Sequence, residues 1–195
     1  MYHFWKLLAH PHQEMHRINQ KNESLIYHYT HHILLMAAIP VIFTFIGTTQ
    51  IGWNLGKDHY IKISLITGLK LSLFFYCLIL GGVAVMGRII YWMAHDYINR
   101  PSISRCTIFA GYVGTPLFIS GVIGLYPLVW LCMLIATLAL VYTGYLLYIG
   151  IPSFLNIKQD VNLQFSSSIL AIGILVFEIL LALTIVLWGY GSSIF

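Results

Sequence analysis

Histidine and a single glutamate are the side chains whose type and spacing could do chemistry in this chain. His12 and His16 are four residues apart, as are His28 and His32, and His31 stands beside the second pair. Residues four apart share one face of a helix. Two such pairs offer the imidazole nitrogens that a tetrahedral zinc ion, or another divalent metal, takes. The zinc-protease form of that chemistry is excluded. In His12-Gln13-Glu14-Met15-His16 the glutamate stands third, whereas those enzymes need it second, or fourth in the inverted motif. Glu14 therefore points off the shared face. The plainer reading of all five histidines is a set of amphipathic side chains at a headgroup boundary with no ligand. No obligate cofactor is implied, and a zinc or other divalent ion is the one candidate.

Glu178 is the sharpest single residue. It lies ten residues from each end of the apolar stretch 168–188, hence at mid-bilayer if that stretch crosses a membrane. A carboxylate at that depth costs several kcal/mol unless it is paired, wetted or protonated, so it counts as a functional candidate by default. Arg88 is its obvious partner. It sits a little more than one turn inside Trp92, about 6 Å below that interface. One reading is structural: a buried Arg88–Glu178 pair, or a protonated Glu178 bonded to a tyrosine, fixes helix packing. The other is a proton or cation relay. One acid without a chain of polar neighbours makes a poor pathway, which favours packing.

A third constellation is Gly111-Tyr112-Val113-Gly114-Thr115-Pro116. Pro116 removes a backbone donor and should kink a helix. Gly111 and Gly114 allow close backbone approach, and Ala110-x-x-x-Gly114 has small-residue packing spacing. Tyr112 is placed to bond across helices. The motifs Tyr142-Thr143-Gly144-Tyr145 and Gly150-Ile151-Pro152 read as packing features too.

The elements that must position these residues follow from composition. Of 195 residues, ten are Lys or Arg and six are Asp or Glu, so 8% are charged, while 59% are hydrophobic. Soluble domains carry about 25% charged residues. The chain is therefore no ordinary globular enzyme, disordered segment or nucleic-acid binder, and its partner is a lipid bilayer. Its pI of about 9.0 comes with no basic run, so the cations read as topology-setting flanks. Cys77, Cys106 and Cys132 lack any metal or redox spacing and read as free thiols. No cleavable signal is expected in residues 1–32, which lack an apolar core of the required length. A glycine-rich phosphate loop is missing. Phe118 stands where a nucleophile motif around Ser120 needs glycine, and no aspartate falls inside a span. The expectation is a non-enzymatic protein.

Charge-free stretches locate five spans, at about 33–53, 65–92, 108–125, 128–149 and 168–188. Residues 106–157 form an uncharged run of 52 residues, about 78 Å as one helix against a hydrocarbon core of about 30 Å. That run must fold back, and Gly124-Leu125-Tyr126-Pro127 is its turn signal. The predicted fold class is an all-α, polytopic membrane bundle of five transmembrane helices, with residues 33–195 as the membrane domain. Residues 1–32 form a histidine-rich, interfacial cytoplasmic segment, whose Tyr2–Leu8 stretch is a candidate amphipathic anchor. With five spans, Lys6, Arg17, Lys21, Arg88, Arg100, Arg105 and Lys158 share one side, against Lys57, Lys62 and Lys70 on the other. The positive-inside rule then puts the N-terminus in the cytoplasm and the C-terminus outside. Trp53, Trp92, Trp130 and Trp188 fall near helix ends, where indole favours the interface.

The segments HYTHHILLMAAIPVIFTFIGTTQIGWN, GVAVMGR, FAGYVGTPLF, YPLVWLC, YTGYLLYIGIPSFLNI, FSSS and LWGYG resemble the Ypt-interacting-protein (Yip) domain family, in its bacterial inner-membrane branch. That resemblance implies five membrane helices with a cytoplasmic N-terminus, and it matches Gly111-Tyr112 to the family's Gly-Tyr feature. Eukaryotic relatives bind small prenylated GTPases and each other and shape membranes. The family's acidic Leu-Tyr-Gly-Pro motif is replaced here by Ala9-His10-Pro11-His12, which removes the expected GTPase-binding element. The leading functional expectation is a membrane-organising or protein-interaction scaffold, acting as a homo-oligomer or with other membrane proteins and without nucleic acid. The alternative is a metal-ion or proton transporter or channel, with His12, His16, His28, His31 and His32 capturing the ion and Glu178, Arg88 and Tyr112 lining its path.

Overall fold

The computed structural model describes residues 32–54, 60–96, 101–126, 128–155 and 159–194. Helix α1 (Leu34–Ile46) runs on through a wide π turn, Gly47–Ile51. Helix α2 is Leu65–Met93. The third span is assembled from α3 (Ile103–Val113), α4 (Thr115–Ser120) and a 3-10 turn, Gly121–Leu125. Helices α5 (Val129–Leu155) and α6 (Gln159–Ile194) complete the chain. Five helical stretches are long and apolar enough to cross a membrane: Leu34–Ile51, Leu65–Met93, Ile103–Leu125, Trp130–Pro152 and Leu163–Leu183. The expected all-α five-helix architecture is therefore what the chain forms. The β structure among the described residues is a two-residue antiparallel pairing of β1 (Trp53–Asn54) with β2 (Tyr60–Ile61) between α1 and α2.

Local sequence explains where the helices start and stop. The Ser64 side chain accepts from the Thr67 N–H, and Ser102 accepts from Arg105 N–H, so serine caps open α2 and α3. Each satisfies a donor that a helix start leaves free. The cap at Ser102 puts the third span's start five residues before the charge-free stretch predicted it, because Arg105 rides in the first turn. After α1, Gly52 takes φ 93°, a conformation that costs glycine nothing, and its N–H donates to the Gly47 carbonyl at 2.8 Å. The reversal inside the uncharged run is as tight as its length demands. The Tyr126 N–H donates to the Ile123 carbonyl and the Leu128 N–H to the Tyr126 carbonyl, and α5 begins at Val129. Pro127 lies outside the described residues. Helix α5 also continues beyond the expected end at Ile149. Pro152 stands inside the helix, three residues before its end, where it forfeits one backbone donor.

Packing divides the bundle into a dense part and an open part. Ile90, Ala94, Cys106, Phe109, Val113, Leu146, Leu147, Ile151, Phe165 and Ile169 form the main buried cluster, joining α2, α3, α5 and α6. A smaller cluster of Ile33, Val83 and Phe118 ties the start of the first span to α2 and α4. Half of the third span's apolar window is buried, against 11% for the last span. The third span is therefore the centre of the bundle, and α6 lies at its edge. Trp92 and Trp130 stand exposed at helix ends, as an interfacial belt requires.

Candidate functional site

The third span breaks at Gly114. Its N–H still donates to the Ala110 carbonyl, but the chain restarts with Leu117 and Phe118 N–H groups on the Gly114 carbonyl. Pro116 sits in the first turn of α4, where its missing donor costs little. The helix is interrupted here, between α3 and α4. The glycine assignment needs correcting, however. A Cβ on Gly111 would lie 2.5 Å from Ile33 Cδ1, whereas one on Gly114 would meet only its own segment, Ala110 O at 3.2 Å and Phe118 Cζ at 3.6 Å. Gly111 is the close-approach residue, and Gly114 is the joint.

At this joint the first span is bonded to the third. Tyr112 is buried, and its ring stacks on His32 with centroids 4.2 Å apart and planes at 18°. His32 Nε2 lies 3.2 Å from Thr115 Oγ1. The Thr115 hydroxyl donates to the Gly111 carbonyl at 3.3 Å. A hydroxyl has one proton, so with Thr115 donating to Gly111 the His32 tautomer that fits is the one protonated at Nε2. Thr115 is fully buried, and it stands at the middle of the 23-residue span Ile103–Leu125. His32 is therefore level with the middle of the third span. The Tyr76 hydroxyl adds a bond from α2 to the Leu34 carbonyl at 3.2 Å.

Below the joint, the first and third spans run side by side in the same direction. A Cβ on Gly121 would strike the ring of Pro40, one on Gly124 would lie 2.7 Å from Thr44 Oγ1, and one on Gly47 would collide with the Gly124 carbonyl oxygen. The π turn beside Gly47 is held by the Thr48 hydroxyl on the Thr44 carbonyl and the Thr49 hydroxyl on the Phe45 carbonyl. Sequence reasoning missed Gly47 and Gly121, and read Gly124 only as a turn signal. The available signal was Gly121-x-x-Gly124 in a run otherwise free of small residues except Ser120.

The other predicted residues are not gathered at this joint. His12, His16, His28 and His31 lie outside the described residues, and among the described residues no group of three or more His, Cys, Asp or Glu is placed to hold a metal ion. Arg88 and Glu178 are both exposed. Among the described residues neither has a hydrogen bond or ion pair, so the buried in-chain pair is not formed. The reason is rotational. Helices α2 and α6 pack antiparallel through Gly82 against Leu180 and Gly173 against Met86. Each residue turns a helix by about 100°, so Glu178 points about 200° away from Leu180. Arg88 lies one heptad beyond Gly81, whose own face has nothing within 4 Å. One further buried polar atom stands out: Thr143 Oγ1 has no hydrogen-bond partner among the described residues.

Comparison with known proteins places this architecture. The chain is 63% identical over all 195 residues, covering 100% of both chains, to "Inner membrane protein YohC" of Escherichia coli strain K12, and it is equally similar to the protein of that name from E. coli O6:H1 strain CFT073. No solved structure matches it. The Yip1 domain model matches residues 5–190, and the chain, a five-helix integral membrane protein, belongs to that family.

Proposed function

We propose that this Yip1-family protein is a non-enzymatic scaffold of the bacterial inner membrane, which docks other membrane helices on its outer face. Its N-terminus lies in the cytoplasm and its C-terminus in the periplasm, as the distribution of Lys and Arg favours. One observation carries the reading. Arg88 and Glu178, opposite charges inside membrane-spanning helices, face outward with no partner among the described residues of their own chain. Exposed charge at bilayer depth is costly, and a docked helix that supplies polar contacts relieves that cost. A photo-crosslinking residue at Ala171, on the exposed side of α6, tests this in native membranes. Adducts to protein are expected; adducts to lipid alone would overturn the reading.

The transporter reading retains one favourable observation. The His32–Tyr112–Thr115 group sits at mid-span beside a helix break, where a proton could be held and passed. Its test is proton or divalent-cation flux into vesicles containing the purified protein. Flux that Glu178→Gln abolishes while the protein stays folded would bring this reading forward.

A further inference from the structure

We infer that the occupant of the outer face is a second copy of this chain, with Glu178 of one copy meeting Arg88 of the next. The inference rests on the scaffold reading and names its partner. Along α2 the exposed residues include Cys77, Gly81, Ala84 and Arg88; along α6 they include Ala171, Leu175, Glu178 and Ala182. Both sets advance by four, three and four residues, the spacing of one continuous helix face.

Depth fixes how two such faces would meet. Copies inserted alike in one bilayer are related by rotation about the membrane normal, and this leaves every residue at its own depth. The in-chain contacts Gly82–Leu180 and Met86–Gly173 calibrate that depth. They set Glu178 level with residues 81–84, Leu175 with residues 84–87, and Arg88 with residues 171–174. Glu178 thus stands at the level of the stretch that holds Gly81 and Ala84. An added Cβ at Gly81 meets nothing within 4 Å in its own chain, so a second helix has room to approach there.

The charges complete the match. At this register Arg88 and Glu178 are about four to seven residues apart in depth, or about 6–10 Å. Side chains on a helix lean toward its N-terminus. Helices α2 and α6 run in opposite directions, so Arg88 leans toward the depth of Glu178 and Glu178 toward that of Arg88. Two long side chains converging in this way close the gap between neighbouring copies. Within one copy they do not, because both point away from the α2–α6 contact.

The test uses the full chain, labelled at its N-terminus with donor or acceptor dye, in phosphatidylethanolamine–phosphatidylglycerol vesicles. Energy transfer in the wild type should persist on dilution with lipid. Arg88→Glu or Glu178→Arg alone should weaken self-association about tenfold, the scale of an interhelical polar contact in a bilayer. Mixing the two single variants should restore it, because the arginine introduced in one variant then faces the glutamate introduced in the other. A pair acting within one chain would not be rescued by mixing. Where a charge reversal loses its helical circular dichroism, Arg88→Gln and Glu178→Gln provide the same weakening without a reversed charge. Wild-type protein that is monomeric at every dilution, single variants that associate normally, or a mixture that fails to recover would each overturn the inference. Protein adducts at residue 171 without self-association would sink this inference alone, whereas lipid adducts alone would sink the scaffold reading with it.

Discussion

The seam between the first and third spans and the outer face of α2 and α6 are both built from small residues, yet they are opposite in state. In the seam four glycines are used: Gly111 on Ile33, Gly121 on Pro40, Gly124 on Thr44 and Gly47 on the Gly124 carbonyl. Its polar groups are also bonded, His32 to Thr115 and Thr115 to Gly111. On the outer face Gly81 meets nothing, and Arg88 and Glu178 have no partner among the described residues. Small residues in membrane helices gain stability only when a backbone comes close enough to use the space. The seam shows that condition met within one chain. On the outer face the condition is not met within one chain.

The sharpest way to break this contrast is to add bulk on both sides of it. Gly121→Val places two methyl groups against the Pro40 ring, next to backbone that cannot yield. It should cost about 3 kcal/mol and lower the thermal midpoint of the detergent-solubilised protein, with loss of the folded fraction on expression. Gly81→Val adds the same volume where space is open, and it should leave that midpoint within about 0.5 kcal/mol of wild type. Equal effects at the two sites would erase the distinction.

Much of this contrast was legible from sequence at the level of elements. The five spans, the reversal at Gly124–Pro127 and the break near Pro116 follow from charge spacing, helix length and proline chemistry, because these constraints act locally. Which face of a helix meets which neighbour is not local. The heptad positions of Gly81, Gly82 and Arg88 can be counted, but nothing in the count says that Gly82 turns to α6 and Gly81 away from it. For the same reason Arg88 and Glu178 read as an in-chain pair and prove to be two outward charges. Nor does the start of the first apolar run at Ile33 say that His32 meets Thr115 in another span.

The polar bonds of the seam give a smaller and more specific test. Thr115→Val keeps the shape of the side chain but removes both the acceptor for His32 Nε2–H and the donor to the Gly111 carbonyl. It should lower stability by about 1–2 kcal/mol. With His32→Phe already in place, the stack on Tyr112 is retained and the bond is gone, so Thr115→Val should then cost less. The difference, read from thermal unfolding of the four proteins, is the coupling energy of the pair. Purely additive effects would mean that the His32–Thr115 bond contributes nothing measurable.

Thr143 reverses the sign. Its hydroxyl is buried without a partner among the described residues, and an unmet polar group carries its desolvation cost with no return. Thr143→Val keeps the branching and should raise stability by up to about 1 kcal/mol. A loss instead would reveal a partner for that hydroxyl, and the packing of α5 around it would need to be drawn again.

The smallest expected effect separates the two regions most cleanly. A buried in-chain pair, broken by Glu178→Gln, would leave the arginine charge stranded at a cost of about 3–5 kcal/mol. With Glu178 turned outward and unpartnered, the same substitution in dilute detergent micelles should change the midpoint by no more than about 0.5 kcal/mol, because no contact within the chain is lost. The comparison is made at protein concentrations low enough to keep one chain per micelle, so that association between copies does not enter. Arg88→Gln should behave alike, and the double variant should equal the sum of the two, since residues that do not touch do not couple. A large loss for either single variant, recovered in the double, would place the pair back inside the chain and close the outer face to the role given to it here.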